Sequence, residues 1–166
     1  GETHRTFCLQ GKQWQWRGLD FKILSPTQIT DRADNPQSCV ILLTDGQNQI
    51  LLTGDADVAT ERSFAEKLGK INVLQVGHHG SKTSTGEFLL AQTKPDIALI
   101  SSGRWNAWNF PHPSVIERLN RYQSAVENTA ISGHIRLNFT EKGIEIEKAR
   151  GDFSPWFARV IGLSPK

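Results

Sequence analysis

The sequence predicts a domain of the α/β class in which helices pack on a β-sheet. Its length of 166 residues suits one globular domain, and 37% of the residues are hydrophobic. Two β-hairpin patterns near the N-terminus are followed by strands that alternate with helices, an order typical of helices layered on a sheet. No apolar run approaches the roughly 20 residues of a membrane-spanning helix, so we expect a soluble domain.

The first third of the chain carries the two hairpins. Alternating and β-rich runs occupy residues 13–17 and 21–24, and then residues 39–44 and 49–53. Asp45 and Gly46 lie between the second pair and tolerate the positive φ of a tight turn. Polar residues, prolines and asparagines at 25–37 predict a loop between the hairpins.

Helical and strand patterns alternate after Asp55. The expected helices cover 58–68, with Gly69 as the stop, then 86–92 and 114–122, and the expected strands cover 71–76, 97–101, 125–129, 134–139 and 144–147. We therefore assign residues 1–150 to the domain. Residues 151–166 have the apolar spacing of an amphipathic tail, which either packs on the sheet or lies at a membrane surface.

Composition limits the function classes only loosely. The 19 basic and 17 acidic residues give a net charge of +2, which neither indicates nor excludes nucleic-acid binding. Cys8 and Cys39 are too few for a disulfide framework and are not spaced as a metal-binding pair. We expect two partly buried thiols, with a single disulfide as the alternative if the domain faces an oxidising compartment.

Two motifs follow apolar strands at the point where each strand ends. Thr53-Gly54-Asp55 follows the strand at 49–53, and the pair His78 and His79 follows the strand at 71–76. A carboxylate and an imidazole at neighbouring strand ends are a natural pair of metal ligands. The structural alternative is that Asp55 caps the next helix while the histidines line a turn. The presence of both motifs favours a site.

A third segment, residues 101–113, again begins at a strand end. Its guanidinium, amide and imidazole groups suit a phosphodiester, and its indoles offer faces on which bases could stack; they belong to Arg104, Asn106, His112, Trp105 and Trp108. The alternative is a long loop whose tryptophans fill the core.

Together these motifs resemble a known family. Thr-Gly-Asp, His-His-Gly-Ser-Lys-Thr-Ser, Ser-x-Gly-x-x-Asn with a following His-Pro, and a late Thr-x-x-x-Gly are similar to the C-terminal metallo-β-lactamase-like domain of the ComEC DNA-uptake proteins, over about residues 12–148. The resemblance implies an αββα sandwich and a phosphodiesterase centre with two divalent ions, zinc or manganese. It also implies a parent protein in the bacterial inner membrane that takes up DNA during transformation and degrades the strand that is not imported.

The resemblance also implies roles for individual residues. Asp55 would bridge the two metals, His79 would bind one of them, and His78 would contact the phosphate or protonate the leaving oxygen. The expected substrate-binding residues are Ser81, Lys82, Arg104, Asn106 and His112. Arg104 or Lys82 would neutralise charge that develops on the phosphate.

The chain departs from the family pattern because it contains no HxHxDH-type cluster. We therefore expect the C-terminal portion of such a domain, with metal absent or weakly bound and no activity by itself. Expected partners are DNA, the membrane-embedded remainder of the parent, and a second copy that pairs through exposed sheet edges. The periplasmic side of the membrane is favoured. The alternatives are a non-catalytic module that guides DNA and a phosphodiesterase that acts on another substrate.

Overall fold

A single seven-stranded sheet forms the centre of the computed structural model, which describes residues 7–31 and 34–150. The strands follow chain order across the sheet: β1 Gln13–Trp16, β2 Leu19–Ser25, β3 Val40–Thr44, β4 Gln49–Leu52, β5 Val73–Gln75, β6 Ile97–Ile100 and β7 Ala125–Asn128. Strands β1 to β4 are antiparallel, whereas β4 to β7 are parallel. This mixed sheet with helices confirms the predicted α/β class.

Four α-helices, two short 3-10 helices at Asn35–Gln37 and Gly77–Gly80, and a separate hairpin complete the described chain. The helices are α1 Val58–Ala65, α2 Glu87–Thr93, α3 Pro113–Arg121 and α4 Thr129–Ser132, and the hairpin consists of β8 Ile135–Thr140 and β9 Gly143–Lys148. The order agrees with the predicted alternation. The predicted tail at 151–166 lies outside the described residues.

The main core lies between one face of the sheet and helices α1 to α3. Strand pairing places Leu51, Leu74 and Ala98 in one cross-strand row, and all three are fully buried. The helices contribute five large members of this cluster: Phe64, Leu89, Leu90, Val115 and Leu119. Complete burial of such side chains contributes about 1.5–3 kcal/mol each, so this layer fixes the positions of the strand ends.

The opposite face of the sheet carries the hairpin. The next cross-strand row contains Phe21, Leu43 and Ile50. Phe139 of β8 lines an apolar pocket of about 140 Å³ together with Leu43 and Ile50. The sheet therefore has helices on one face and a second, smaller sheet on the other, as expected for part of an αββα sandwich.

Two local predictions are wrong. Helix α1 ends at Ala65 rather than continuing to Leu68, although Leu68 still packs into the core. The predicted strand at 125–129 ends at Asn128, because Thr129 begins the short helix α4, whose N-cap is the Asn128 side chain. No helix in residues 7–31 and 34–150 is long and apolar enough to span a bilayer.

The cysteines also correct the sequence analysis, which favoured two thiols. Cys8 and Cys39 form a disulfide with a Cα–Cα distance of 5.8 Å, which joins the segment before β1 to the start of β3. The two residues are separated by 31 positions. A cross-link of this span removes substantial conformational entropy from the unfolded chain.

We predict that the double variant Cys8→Ser/Cys39→Ser loses about 3 kcal/mol of unfolding free energy, because its unfolded ensemble is no longer cross-linked. Urea unfolding with and without a reducing agent measures this. The reductant should destabilise the natural chain and leave the double variant unchanged. Equal unfolding midpoints for the two proteins in non-reducing buffer would contradict the prediction.

Candidate functional site

The parallel half of the sheet brings the predicted motifs together. Strands β4, β5, β6 and β7 run in the same direction, so their carboxyl ends meet at one edge. Asp55 follows β4, His78 and His79 follow β5, and Ser101 follows β6. The His78 amide donates to the Gly54 carbonyl at 2.9 Å, which joins the first two of these ends directly. Strand ends at such an edge are where open α/β sheets bind ligands.

The turn that carries Asp55 is held by its neighbours on both sides. The Gln75 side-chain oxygen accepts from the amides of Thr53 and Gly54 at 3.1 and 3.2 Å. The Ser38 hydroxyl accepts from the Asp55 amide at 3.2 Å. Helix α1 is capped by the Asp57 carboxylate, which accepts from the Thr60 amide at 2.8 Å. Asp57 is thus the cap, and the exposed Asp55 side chain does not perform the capping role considered as its structural alternative.

The histidine pair lies in a short turn with unusual backbone geometry. His78 and His79 have φ of 48° and 57°, and Gly80 continues the left-handed conformation at 86°. Left-handed backbone is unfavourable by roughly 1–2 kcal/mol for a residue with a Cβ. A Cβ at Gly80 would lie 2.5 Å from the Cβ of Pro111, so only glycine fits there. Clusters of such residues occur where a structure holds side chains for function.

The two imidazoles face different partners, and these partners fix different tautomers. His79 Nδ1 lies 2.7 Å from the carbonyl oxygen of Ser101, which can only accept, so Nδ1 carries the proton and Nε2 keeps its lone pair. His78 Nδ1 lies 3.3 Å from the side-chain nitrogen Nδ2 of Asn35, which can only donate, so the proton of the neutral ring is on Nε2. His79 therefore presents an acceptor and His78 presents a donor.

The loop after β6 is shaped by one amide side chain. Asn106 donates to the carbonyls of Gly103 and Phe110 at 2.8 Å each, and its oxygen accepts from the Phe110 amide at 2.7 Å. The polar atoms of the Asn106 side chain are thus engaged in hydrogen bonds within the loop. The loop ends at His112, whose amide donates to Gly80 and whose Nδ1 accepts from the Ser114 amide at the start of α3.

The other predicted substrate-binding residues differ in exposure. Ser81 is buried, with its hydroxyl 3.0 Å from that of Thr83, whereas Lys82 is exposed. Arg104 is half-buried, with its guanidinium 5.8 Å from the Trp105 ring centre. A pocket of about 470 Å³ opens beside the histidine turn. It is lined by His79, Ser101, Ser102, Gly103, Asn106, Trp108 and Phe110.

Two buried or half-buried residues that the sequence analysis missed hold the segment that follows the histidine turn. Glu61 of α1 is buried and accepts from the amides of Thr85 and Gly86 at 2.6 and 2.8 Å. Arg118 of α3 donates to the carbonyls of Ser84 and Thr85 at 3.0 and 3.1 Å. The Glu61 side chain binds two amides and the Arg118 guanidinium binds two carbonyls, so together they hold the segment that follows His79.

Burial raises the pKa of Glu61 to about 7. The amides of Gly86 and Thr85 and the charge of Arg118 oppose this rise, while the charge of Asp57 adds to it. The removal of the carboxylate from water is therefore the larger effect.

The described residues do not fit a complete two-metal centre. No three His, Cys, Asp or Glu side chains in residues 7–31 and 34–150 cluster closely enough to hold a metal ion. Two-metal centres hold their ions about 3.5–4 Å apart with several protein ligands. Asp55 and His79 by themselves supply too few donors for such a centre.

A family model agrees with the fold and with the strand-end motifs. The model described as the metallo-beta-lactamase superfamily matches residues 9–104, more than half of the 166-residue chain. The chain belongs to the metallo-beta-lactamase superfamily. The match includes both Asp55 and the histidine turn, so the site lies inside the superfamily segment.

Within this superfamily, the chain is similar to proteins with related names. It is 65% identical over 164 residues to "Recombination protein 2" of Haemophilus influenzae, covering 99% of this chain and 21% of that protein. It is 34% identical to "Competence protein ComA" of Neisseria gonorrhoeae, covering 84% of this chain and 20% of that protein. It is also 34% identical to "ComE operon protein 3" of Bacillus subtilis, covering 80% and 17%. The chain spans about a fifth of the length of these curated relatives, and the expected relation to the competence proteins is confirmed.

We predict that Glu61 makes this superfamily domain less stable as the pH rises from about 4.5 to about 7. The folded state holds the carboxyl proton over this range and the unfolded chain releases it, so the unfolding free energy falls by on the order of 3 kcal/mol. Urea unfolding at pH 5 and pH 8 should show a smaller difference for Glu61→Gln than for the natural chain. The exposed α3 residue Glu117 provides the control Glu117→Gln. Identical pH profiles for the natural chain and Glu61→Gln would refute the prediction.

We predict opposite tautomers for the two histidines of the turn in their neutral forms, because Ser101 accepts from Nδ1 of His79 and Asn35 donates to Nδ1 of His78. Nitrogen-15 NMR should show the proton of His79 on Nδ1 and that of His78 on Nε2. The variant Asn35→Leu removes the donor to His78 and should disturb only the His78 signals. The same tautomer at both positions in the natural chain would show that the assignment is incorrect.

Proposed function

We propose that this chain is part of a bacterial DNA-uptake protein and that its strand-end site contacts the phosphodiester backbone of DNA. The observation that carries the proposal is the meeting of an exposed carboxylate, an acceptor imidazole and a donor imidazole at the ends of β4 and β5. The similarity to proteins named for competence and recombination supports the role in DNA uptake.

The groups at this edge suit a phosphodiester. His79 Nε2 and the Asp55 carboxylate are of the donor types that zinc and manganese bind, and we assign them to a metal site of the intact domain. The fixed Nδ1–H···O=C bond of His79 is the arrangement that orients metal-binding imidazoles. His78 Nε2–H donates to a phosphate oxygen or to the leaving oxygen. Lys82 and Arg104 add positive charge nearby.

Hydrolysis requires more ligands than the described residues provide. We propose that the remaining ligands of two divalent ions come from polypeptide outside residues 7–31 and 34–150. By itself, this part of the chain then binds metal weakly and does not cleave DNA, because an incomplete ligand set leaves each ion largely hydrated. Strand degradation is thus proposed for the intact parent only.

We propose that the domain faces the periplasm and that its parent lies in the inner membrane. The disulfide between Cys8 and Cys39 supports this location, because disulfides persist in oxidising compartments and are rare in the bacterial cytoplasm.

A second candidate function is the guidance of DNA without hydrolysis. Two observations favour it: the described residues lack a cluster of metal ligands, and Trp105 and Trp108 are 86% and 74% exposed on the loop beside the site. Exposed indoles and a guanidinium are sufficient to bind a nucleic acid by stacking and charge.

We predict that Asp55→Asn in the full-length parent lowers both transformation frequency and degradation of the non-imported strand by at least about tenfold, because the carboxylate belongs to the reacting centre. Glu117→Gln, on the exposed side of α3, is the matched control and should behave as the natural protein. Uptake and degradation that both survive Asp55→Asn would contradict the proposed function. Unchanged degradation with reduced uptake would favour DNA guidance.

A further inference from the structure

Two aromatic rings form a shelf beside the histidine turn. We use the term aromatic shelf for the side chains of Trp108 and Phe110, whose planes lie within 16° of parallel with ring centres 6.5 Å apart. Trp108 is 74% exposed, so most of its indole contacts water. An aromatic ring of this size gains substantial free energy when a flat apolar group covers it. The shelf therefore has the properties of a stacking surface.

The shelf is held in place before any ligand arrives. The side chain of Asn106 makes three hydrogen bonds across its loop, two of which engage the backbone of Phe110. The Asn109 amide donates to the Asn106 carbonyl at 3.3 Å, and the His112 amide donates to Gly80 at 2.8 Å. A preformed surface loses little conformational entropy on binding.

The shelf is continuous with the candidate site. The Phe110 ring meets the His78 ring edge-on at 5.9 Å between centres. Trp108, Phe110 and His79 line the same open pocket of about 470 Å³, which falls in the size range of small-molecule sites. A ligand group stacked on the shelf is thus held beside the imidazole of His79.

Two basic residues lie close in sequence to residues that line this pocket. Lys82 is exposed three residues after His79, and the Arg104 guanidinium lies 5.8 Å from the centre of the Trp105 ring. A ligand with a flat aromatic group and a neighbouring negative charge matches both features. Nucleotides within a strand have this combination.

We propose that the aromatic shelf is a subsite for one unpaired base of single-stranded DNA, whose adjoining phosphate lies at His79. The inference rests on the proposed function, because it takes DNA as the ligand and adds the form of the DNA and the residues that recognise it. Single strands are favoured because bases in a duplex already stack on each other and do not expose a face to Trp108. Stacking on an indole accepts any of the four bases, so the subsite has little sequence preference.

Binding of a fluorescent oligothymidylate to the purified chain, without added metal, tests the proposal by anisotropy. Trp108→Ala should weaken binding about 5-fold to 100-fold, the loss typical of one stacked base, and Trp108→Phe should retain most of the affinity. The control Trp16→Ala removes another exposed indole, 57% exposed on the outermost strand β1, and should bind like the natural chain. A blunt duplex of the same length should bind more weakly than the single strand.

A second variant tests whether binding needs the fixed loop conformation of the aromatic shelf and not only the Trp108 side chain. Asn106→Leu loses both N–H donors of the loop without adding a charge, so it should weaken binding although Trp108 remains. Because residue 108 is exposed, its substitution leaves the core unchanged, and circular dichroism checks that each variant folds.

The outcomes distinguish the shelf from the proposed function. Single-strand binding that is unaffected by Trp108→Ala overturns the shelf and leaves the proposed function intact. Equal or tighter binding of the duplex also overturns it. If neither the natural chain nor Trp16→Ala binds either form of DNA, both the shelf and the proposed contact with DNA are wrong.

Discussion

The hydrogen bond from the His78 amide to the Gly54 carbonyl is the contact on which the site depends. It joins the ends of two parallel strands at the residue where the left-handed turn of His78 and His79 begins. That turn is unfavourable by itself, so the surrounding structure must stabilise it. Gly80 packed on Pro111, and the Ser81 amide bonded to the His78 carbonyl, provide part of this stabilisation.

The rest of the stabilisation comes from buried polar groups beneath the turn. A buried carboxylate is unfavourable unless donors surround it, and Glu61 receives two backbone amides that would otherwise be unsatisfied themselves. Arg118 binds the carbonyls of the same segment, so side chains of both α1 and α3 hold this segment. Neither residue touches the exposed edge of the site. They hold the backbone that carries the histidines, so the geometry of the site depends on the packing of the core.

Local patterns in the sequence were sufficient for most elements, because strand alternation and helical periodicity are local properties. They failed where packing rather than periodicity decides: Leu68 is buried without being helical, and the single turn of α4 is too short to leave a periodic signal. The strand-end motifs could be found because Asp55 and the histidines stand next to their strands. The role of Glu61 could not be predicted from the sequence. An acidic residue on an amphipathic helix is expected to face solvent, and the residues that Glu61 binds lie 24 and 25 positions away.

The disulfide between Cys8 and Cys39 supports the site as well as the stability of the fold. Cys39 follows Ser38, whose hydroxyl binds the Asp55 amide, and the same segment carries Asn35, which faces His78. The cross-link to Cys8 therefore anchors the segment that touches both candidate residues. Without the cross-link the 34–38 segment would be anchored less firmly, and His78 Nδ1 would lose the Asn35 donor that keeps the proton on Nε2. The covalent bond thus contributes to the site by anchoring the segment whose Asn35 side chain sets the tautomer of His78.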